Sequence, residues 1–147
     1  MDPLITASQV HNKIYEMSNV YQKLLQGVKF FNVTEYVNTL NKLFRDYIIP
    51  HFEFEENEIF PVAFSKKEAG FDKIISELLQ EHKQIKEKLV RLNLANTNIA
   101  NNPNATQKEE DDLLAACTGL TRELTNHAQK EDSEFYPFLK EIIFKIK

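Results

Sequence analysis

Four histidines occur in the chain, His11, His51, His82 and His127, and two of them stand four residues ahead of a glutamate: His51 with Glu55, and His127 with Glu131. On a helix, residues four apart share a face, so each pair can present an imidazole nitrogen and a carboxylate oxygen to one point. Such donors suit iron, manganese or zinc, and a carboxylate can also bridge two cations. The two segments align without a gap, HFEFEENEIFP from His51 to Pro61 against HAQKEDSEFYP from His127 to Pro137. Glu58 then matches Glu134, acidic Glu56 matches Asp132, and aromatic Phe60 matches Tyr136. A weaker echo links HNKIYE at His11 to HKQIKE at His82. The pattern reads as a duplicated helical hairpin with approximate two-fold symmetry, which suits a pair of metal ions.

The elements that position these residues are helical. Gly and Pro are scarce, 3 and 5 in 147 residues, and serve as punctuation between long helical patterns. The spacing predicts a first helix from about Ser8 to Gln26, carrying Val10, Ile14, Met17, Tyr21, Leu24 and Leu25 and ending at Gly27. A second starts near Thr34 after Asn32 and fades around Phe64; a third spans about Phe71 to Leu94. The Asn-rich ANTNIANNPNATQ reads as a loop, and a fourth helix runs from about Gln107 to Phe144. No segment reads as a paired strand. Short connections return each helix beside its predecessor, so the expected fold is all-α, an antiparallel up-down-up-down four-helix bundle with a metal site in its core. Counting about 1.5 Å of rise per residue from the turns puts all four histidines in one layer, one per helix. The predicted ligands are therefore His11, His51, Glu55, His82, His127 and Glu131.

Other residues take ordinary roles. Glu58 and Glu134 lie about 10 Å along the axis from the histidines and read as solvated or outer residues. Pro50 removes a hydrogen bond to Asp46 and predicts a bend. Tyr15 and Tyr47, each one turn from a histidine, read as core packing in preference to donors toward a bound oxygen species. Cys117 sits off the His127 face and reads as buried packing.

Composition bounds the function. The chain has 42% hydrophobic residues with 11 Phe, enough for one core, and is read as a single domain over 1–147. Eighteen basic residues scattered among 22 acidic ones, for a formal charge of −4, form no stripe that tracks phosphates, so nucleic acid is not an expected partner. The amino terminus lacks a basic segment followed by an apolar run, and no stretch approaches the roughly 20 apolar residues that span a bilayer. A soluble cytoplasmic protein without a membrane partner is expected, in keeping with a single cysteine.

The order His11, His51-x-x-x-Glu55, His82, His127-x-x-x-Glu131 resembles the hemerythrin-like, or HHE cation-binding, domains, and the resemblance extends from His11 to Pro137. It implies that the four histidines ligate two iron ions, as a non-haem di-iron centre with an oxo, hydroxo or water bridge, and that Glu55 and Glu131 bridge them. The oxygen-carrying hemerythrins have a further histidine one turn away on the third helix and an aspartate on the fourth. Here the neighbours of His82 are Leu78 and Lys86. The resemblance then implies an iron position left open, or filled by water, by a carboxylate such as Glu58, Glu81 or Glu134, or by a phenolate. The leading expectation is a protein that binds or senses O₂ or a related small ligand such as NO or peroxide. A di-iron oxidoreductase acting on nitric oxide or peroxide, including repair of iron–sulfur centres, is the rival reading, so enzyme status stays open. An iron-responsive interaction module and a metal-free helical adaptor are the others.

Overall fold

The computed structural model describes residues 9–16, 33–65 and 70–145, with side chains placed as far as Glu141. Every regular element among them is helical. Residues 9–16 form α1. Helix α2 runs unbroken over residues 33–65: α-helix at Val33–Leu43, Ile49–Phe54 and Phe60–Ser65 alternates with π-helical turns at Phe44–Ile48 and Glu55–Ile59. Helix α3 is Phe71–Ala100. Helix α4 begins with Gln107–Lys130, passes through a π-helical turn at Glu131–Phe135 and finishes as Tyr136–Lys145. The expectations placed on Met17, Tyr21, Leu24, Leu25, Gly27 and Asn32 lie outside the described residues.

Local chemistry sets the ends. Thr106 caps α4 reciprocally: its Oγ1 accepts from the Glu109 N–H at 3.2 Å while its own N–H donates to Glu109 Oε1 at 3.2 Å. Gly70 precedes α3 at φ 98°, a left-handed conformation that a side chain would strain. Three prolines, Pro50, Pro61 and Pro137, each follow a π-helical turn by two positions. At those turns the N–H groups of Ile49, Phe60 and Tyr136 reach back five residues to the carbonyls of Phe44, Glu55 and Glu131. A proline ring clashes with the carbonyl four residues back, and a wider turn relieves the clash without ending the helix. At Pro50, where the sequence predicts a bend, the helix continues behind a π-helical turn.

One boundary differs from the sequence expectation. Helix α3 continues to Ala100, so residues 95–100, predicted as loop, are helical. Their Asn-rich composition misleads because Asn96 faces inward, in line with Asn93 one turn before it. Asn96, buried, donates its amide to Asn38 Oδ1 at 3.0 Å, and Asn93 donates to Asn41 Oδ1 at 3.0 Å. Ala95 and Ile99 pack on the core beside them.

The buried apolar side chains form two clusters. One gathers Ile14, Leu40, Phe44, Ile85, Leu120 and Leu124 among others; the second gathers Ile59, Phe60, Phe71, Leu78, Phe135 and Leu139 among others. The histidines and their glutamates lie between the two, since His82 falls between Leu78 and Ile85 and Glu131 between Leu124 and Phe135. A polar layer closed by apolar packing on both sides has little access to water, which strengthens every electrostatic interaction inside it. No described helix is long and apolar enough to cross a membrane.

Candidate metal centre

All six sequence-predicted residues meet in this layer, and each is between 0 and 5% exposed. Glu55 and Glu131 each follow their histidine by one turn of α-helix, at the point where a π-helical turn begins, and so share a face with His51 and His127. Two imidazole pairs face one another: His11 Nε2 to His51 Nε2 at 3.2 Å, and His82 Nε2 to His127 Nε2 at 3.1 Å. Glu55 Oε1 lies 3.3 Å from both His51 Nε2 and His82 Nε2. Glu131 Oε1 lies 3.2 Å from both His11 Nε2 and His127 Nε2. Each carboxylate thereby spans the two imidazole pairs.

Outside the layer, acidic side chains take the other ring nitrogens. Asp132 Oδ1 lies 2.7 Å from His11 Nδ1, Glu56 Oε2 lies 3.2 Å from His82 Nδ1, and Glu81 Oε1 lies 2.8 Å from His127 Nδ1. A carboxylate at Nδ1 places the ring proton there and leaves Nε2 as a lone pair aimed inward. At 3.1 Å, the lone pairs of His82 and His127 therefore repel. Both Glu55 Oε1 and Glu131 Oε1 are buried without a hydrogen-bond partner among the described residues. A carboxylate oxygen stripped of water and left without a donor is costly.

These strains have one common remedy, a cation between the donors. Metal–ligand bonds of about 2.0–2.2 Å to imidazole and carboxylate place two donors on one ion about 3 Å apart, close to the separations found here. Two groups of donor atoms lie mutually within 4.8 Å: Glu55, His82, His127 and Glu131 make one, and His11, His51 and Glu131 the other. The residues present fit a pair of metal ions with a shared carboxylate.

The sequence comparison agrees with the donor set. A family model, the hemerythrin HHE cation-binding domain, matches residues 6–139, nearly the whole chain. The chain belongs to the hemerythrin HHE family. No curated protein and no solved structure matches it. Membership places this HHE domain among cation-binding proteins, consistent with its buried His/Glu cluster.

The electrostatics of the HHE domain follow from its burial. Burial lowers the pKa of His51 and of His127 by penalising the charged ring, against the opposing pull of neighbouring carboxylates. Both are thereby kept neutral, the form that binds a metal. Burial pushes the Glu55 carboxyl up, but the polar surroundings made by the His82, His51 and His127 rings outweigh it and hold Glu55 below its ordinary value. Asp132 behaves likewise: burial opposes ionisation, and hydrogen bonds from His11 and Tyr15 overcome it.

Several residues take roles the sequence did not assign. The Tyr15 hydroxyl donates to Asp132 Oδ2 at 2.6 Å, so it holds the carboxylate behind His11 and is more than core packing. Tyr47 is 42% exposed, with Lys13 Nζ over its ring at 4.5 Å, and so is not a core residue. Tyr136 donates to Glu55 Oε2 at 2.6 Å and lies 3.5 Å from Glu131 Oε2. The aligned acidic pair Glu56 and Asp132, and the aromatic pair Phe60 and Tyr136, were the visible signals for these contacts. Phe60 stacks on His82 with centroids 5.9 Å apart, and Tyr136 stacks on His11 at 5.6 Å. Glu58 and Glu134 are exposed, as expected of solvated residues, and Cys117 is fully buried. Glu81 contacts the outer nitrogen of His127, away from the interior donor cluster.

Proposed function

We propose that the chain, as one domain over residues 1–147, holds two iron ions in a carboxylate-bridged centre and binds or senses O₂ or a related small ligand such as NO or peroxide there. His11, His51, His82 and His127 are the nitrogen ligands in this reading, and Glu55 and Glu131 the bridging carboxylates. The observation that carries it is the pair of buried Oε1 atoms of Glu55 and Glu131, unpartnered among the described residues and each shared between one imidazole of either facing pair. An antiparallel up-down-up-down bundle is the matching topology, supported by Asn38 pairing with Asn96 while Asn41 pairs with Asn93.

When bound, a di-iron centre supplies Lewis acidity and reversible one-electron changes at each ion. The chain itself provides the dry, ordered surroundings. Phe52 stacks on His82 at 3.9 Å and turns an edge to His127 at 5.4 Å, covering both rings with hydrocarbon. Asp132, Glu56 and Glu81 fix three rings in one tautomer. Tyr136, kept protonated by burial and by the Glu55 charge, places a hydroxyl proton beside both bridging carboxylates.

That hydroxyl also favours the second reading, an oxidoreductase acting on nitric oxide or peroxide, because reductive turnover consumes protons and Tyr136 is positioned to hold one. Sustained turnover with a reductant distinguishes it from binding alone. The first experiment is metal content of protein purified without added metal, with its visible spectrum before and after anaerobic reduction and re-exposure to air. About two irons per chain, with an absorption band bleached by reduction and restored by O₂, support the di-iron ligand-binding reading. No metal, or one zinc with a silent spectrum, refutes it.

A further inference from the structure

The sequence repeat relates the two halves of the centre, yet the halves carry different outer partners. Aligning HNKIYE with HKQIKE sets Val10 opposite Glu81 and Tyr15 opposite Lys86. On the His82–His127 side both imidazoles are anchored, His82 by Glu56 at 3.2 Å and His127 by Glu81 at 2.8 Å. Each anchor is fixed in turn by a lysine. Lys86 Nζ lies 3.7 Å from Glu56 Oε2, and Lys130 Nζ donates to Glu81 Oε2 at 3.0 Å and to Glu77 Oε2 at 2.7 Å.

The His11–His51 side is built differently. His11 has Asp132 at 2.7 Å, steadied by Tyr15 at 2.6 Å. For His51, the sequence repeat sets Val10, an apolar residue packed on the core, at the position that Glu81 holds beside His127. Packing differs too, because Phe52, stacked on His82, aligns with Ala128, which has no ring to lay against His11.

An anchoring carboxylate fixes the ring orientation and tautomer of a ligating histidine and raises its basicity. Loss of such a partner typically lowers metal affinity about 10–100-fold. We propose that the two metal positions are unequal, the His82–His127 position holding its ion more tightly and the His11–His51 position releasing its ion first, with Glu81 the positioning residue that sets the difference. The proposal rests on the two-metal reading and adds an order to it. A tightly held ion beside an exchangeable one means that the chain passes through a defined one-metal state.

The test uses the full chain loaded with two zinc ions, a diamagnetic probe, and a competing chelator added stepwise while the histidine imidazole resonances are followed by NMR. In the parent protein the resonances of His11 and His51 move to their metal-free positions in the first step, and those of His82 and His127 in the second. Glu81→Ala weakens binding at the His82–His127 position by tenfold or more and leaves the other position unchanged; Glu81→Asp restores part of the loss. Tyr15→Phe, which leaves Glu81 intact, weakens only the first-released ion. One affinity for both ions, or equal weakening at both positions in Glu81→Ala, overturns the proposal while two-metal binding stands. A folded chain that takes up no zinc removes the two-metal reading itself.

Discussion

Tyr136 donates its hydroxyl to Glu55 Oε2 at 2.6 Å across a sequence separation of 81 residues, tying α4 to the carboxylate that α2 sends into the centre. Its repeat partner is Phe60, so one half of the duplicated motif gives the site a hydroxyl and the other gives it a plain ring. Replacing Tyr136 by Phe makes the halves alike. A hydrogen bond to a buried carboxylate contributes about 1.5–3 kcal/mol, and Tyr136→Phe is expected to lose that much stability in urea denaturation of chelator-treated protein. Metal content should stay at the parent value. A fall in metal per chain would show instead that the hydroxyl supports metal binding through Glu55.

The six-residue cluster was legible because ligation demands particular residue types at a particular spacing, and duplication wrote that demand twice. A single His-x-x-x-Glu occurs on many solvated helix faces. Two aligned copies, with His11 and His82 at matching levels, do not arise so easily. The outer carboxylates were only half visible: Glu56 and Asp132 stood out as aligned acidic residues, but which ring each would face depends on the helices being packed. The π-helical turns were hidden, since the sequence shows only a proline two positions beyond each, and proline alone also permits a kink or a stop. The end of α3 was misread because an asparagine run looks the same whether its amides meet water or, like Asn96, meet an asparagine on a neighbouring helix.

Ligand and neighbour are separable on one helix. His82→Ala removes a nitrogen donor from the buried cluster, whereas Lys86→Ala removes a half-exposed amine 3.7 Å from Glu56. The first variant should lose metal and the second should keep nearly all of it, as read by elemental analysis of protein purified in parallel. Equal metal content in His82→Ala and the parent would refute the ligand assignment.

The paired asparagines between α2 and α3 make a register lock that is independent of metal. Asn38→Ala leaves the buried Asn96 amide without its partner, at a cost of about 1–3 kcal/mol. Asn38→Leu combined with Asn96→Leu removes both polar groups and should recover much of the loss, because an apolar pair leaves no donor unsatisfied. Chemical denaturation at fixed metal content measures both. A harmless Asn38→Ala would mean that water satisfies Asn96 and that the pair fixes no register.

Cys117 supplies a pH dependence with a definite sign. Buried in the apolar cluster with Leu113, Leu120 and Leu124, its thiol is pushed from an ordinary value of 9.0 to about 12 by loss of hydration. In the folded chain the thiol stays protonated where the unfolded chain has ionised. Above pH 9.0 the unfolded state therefore releases a proton that the folded state retains, and the thiol's contribution lowers stability progressively as pH rises toward 12. At pH 8 an alkylating or disulfide reagent should react slowly with native protein and rapidly once denaturant unfolds it, since only the thiolate attacks and the folded thiol is both protonated and enclosed. Cys117→Ser should abolish the labelling in denaturant and remove this part of the alkaline slope. Fast labelling of the native chain at pH 8, at the rate of a free thiol, would place Cys117 in contact with solvent and contradict the packing of α4 against the core.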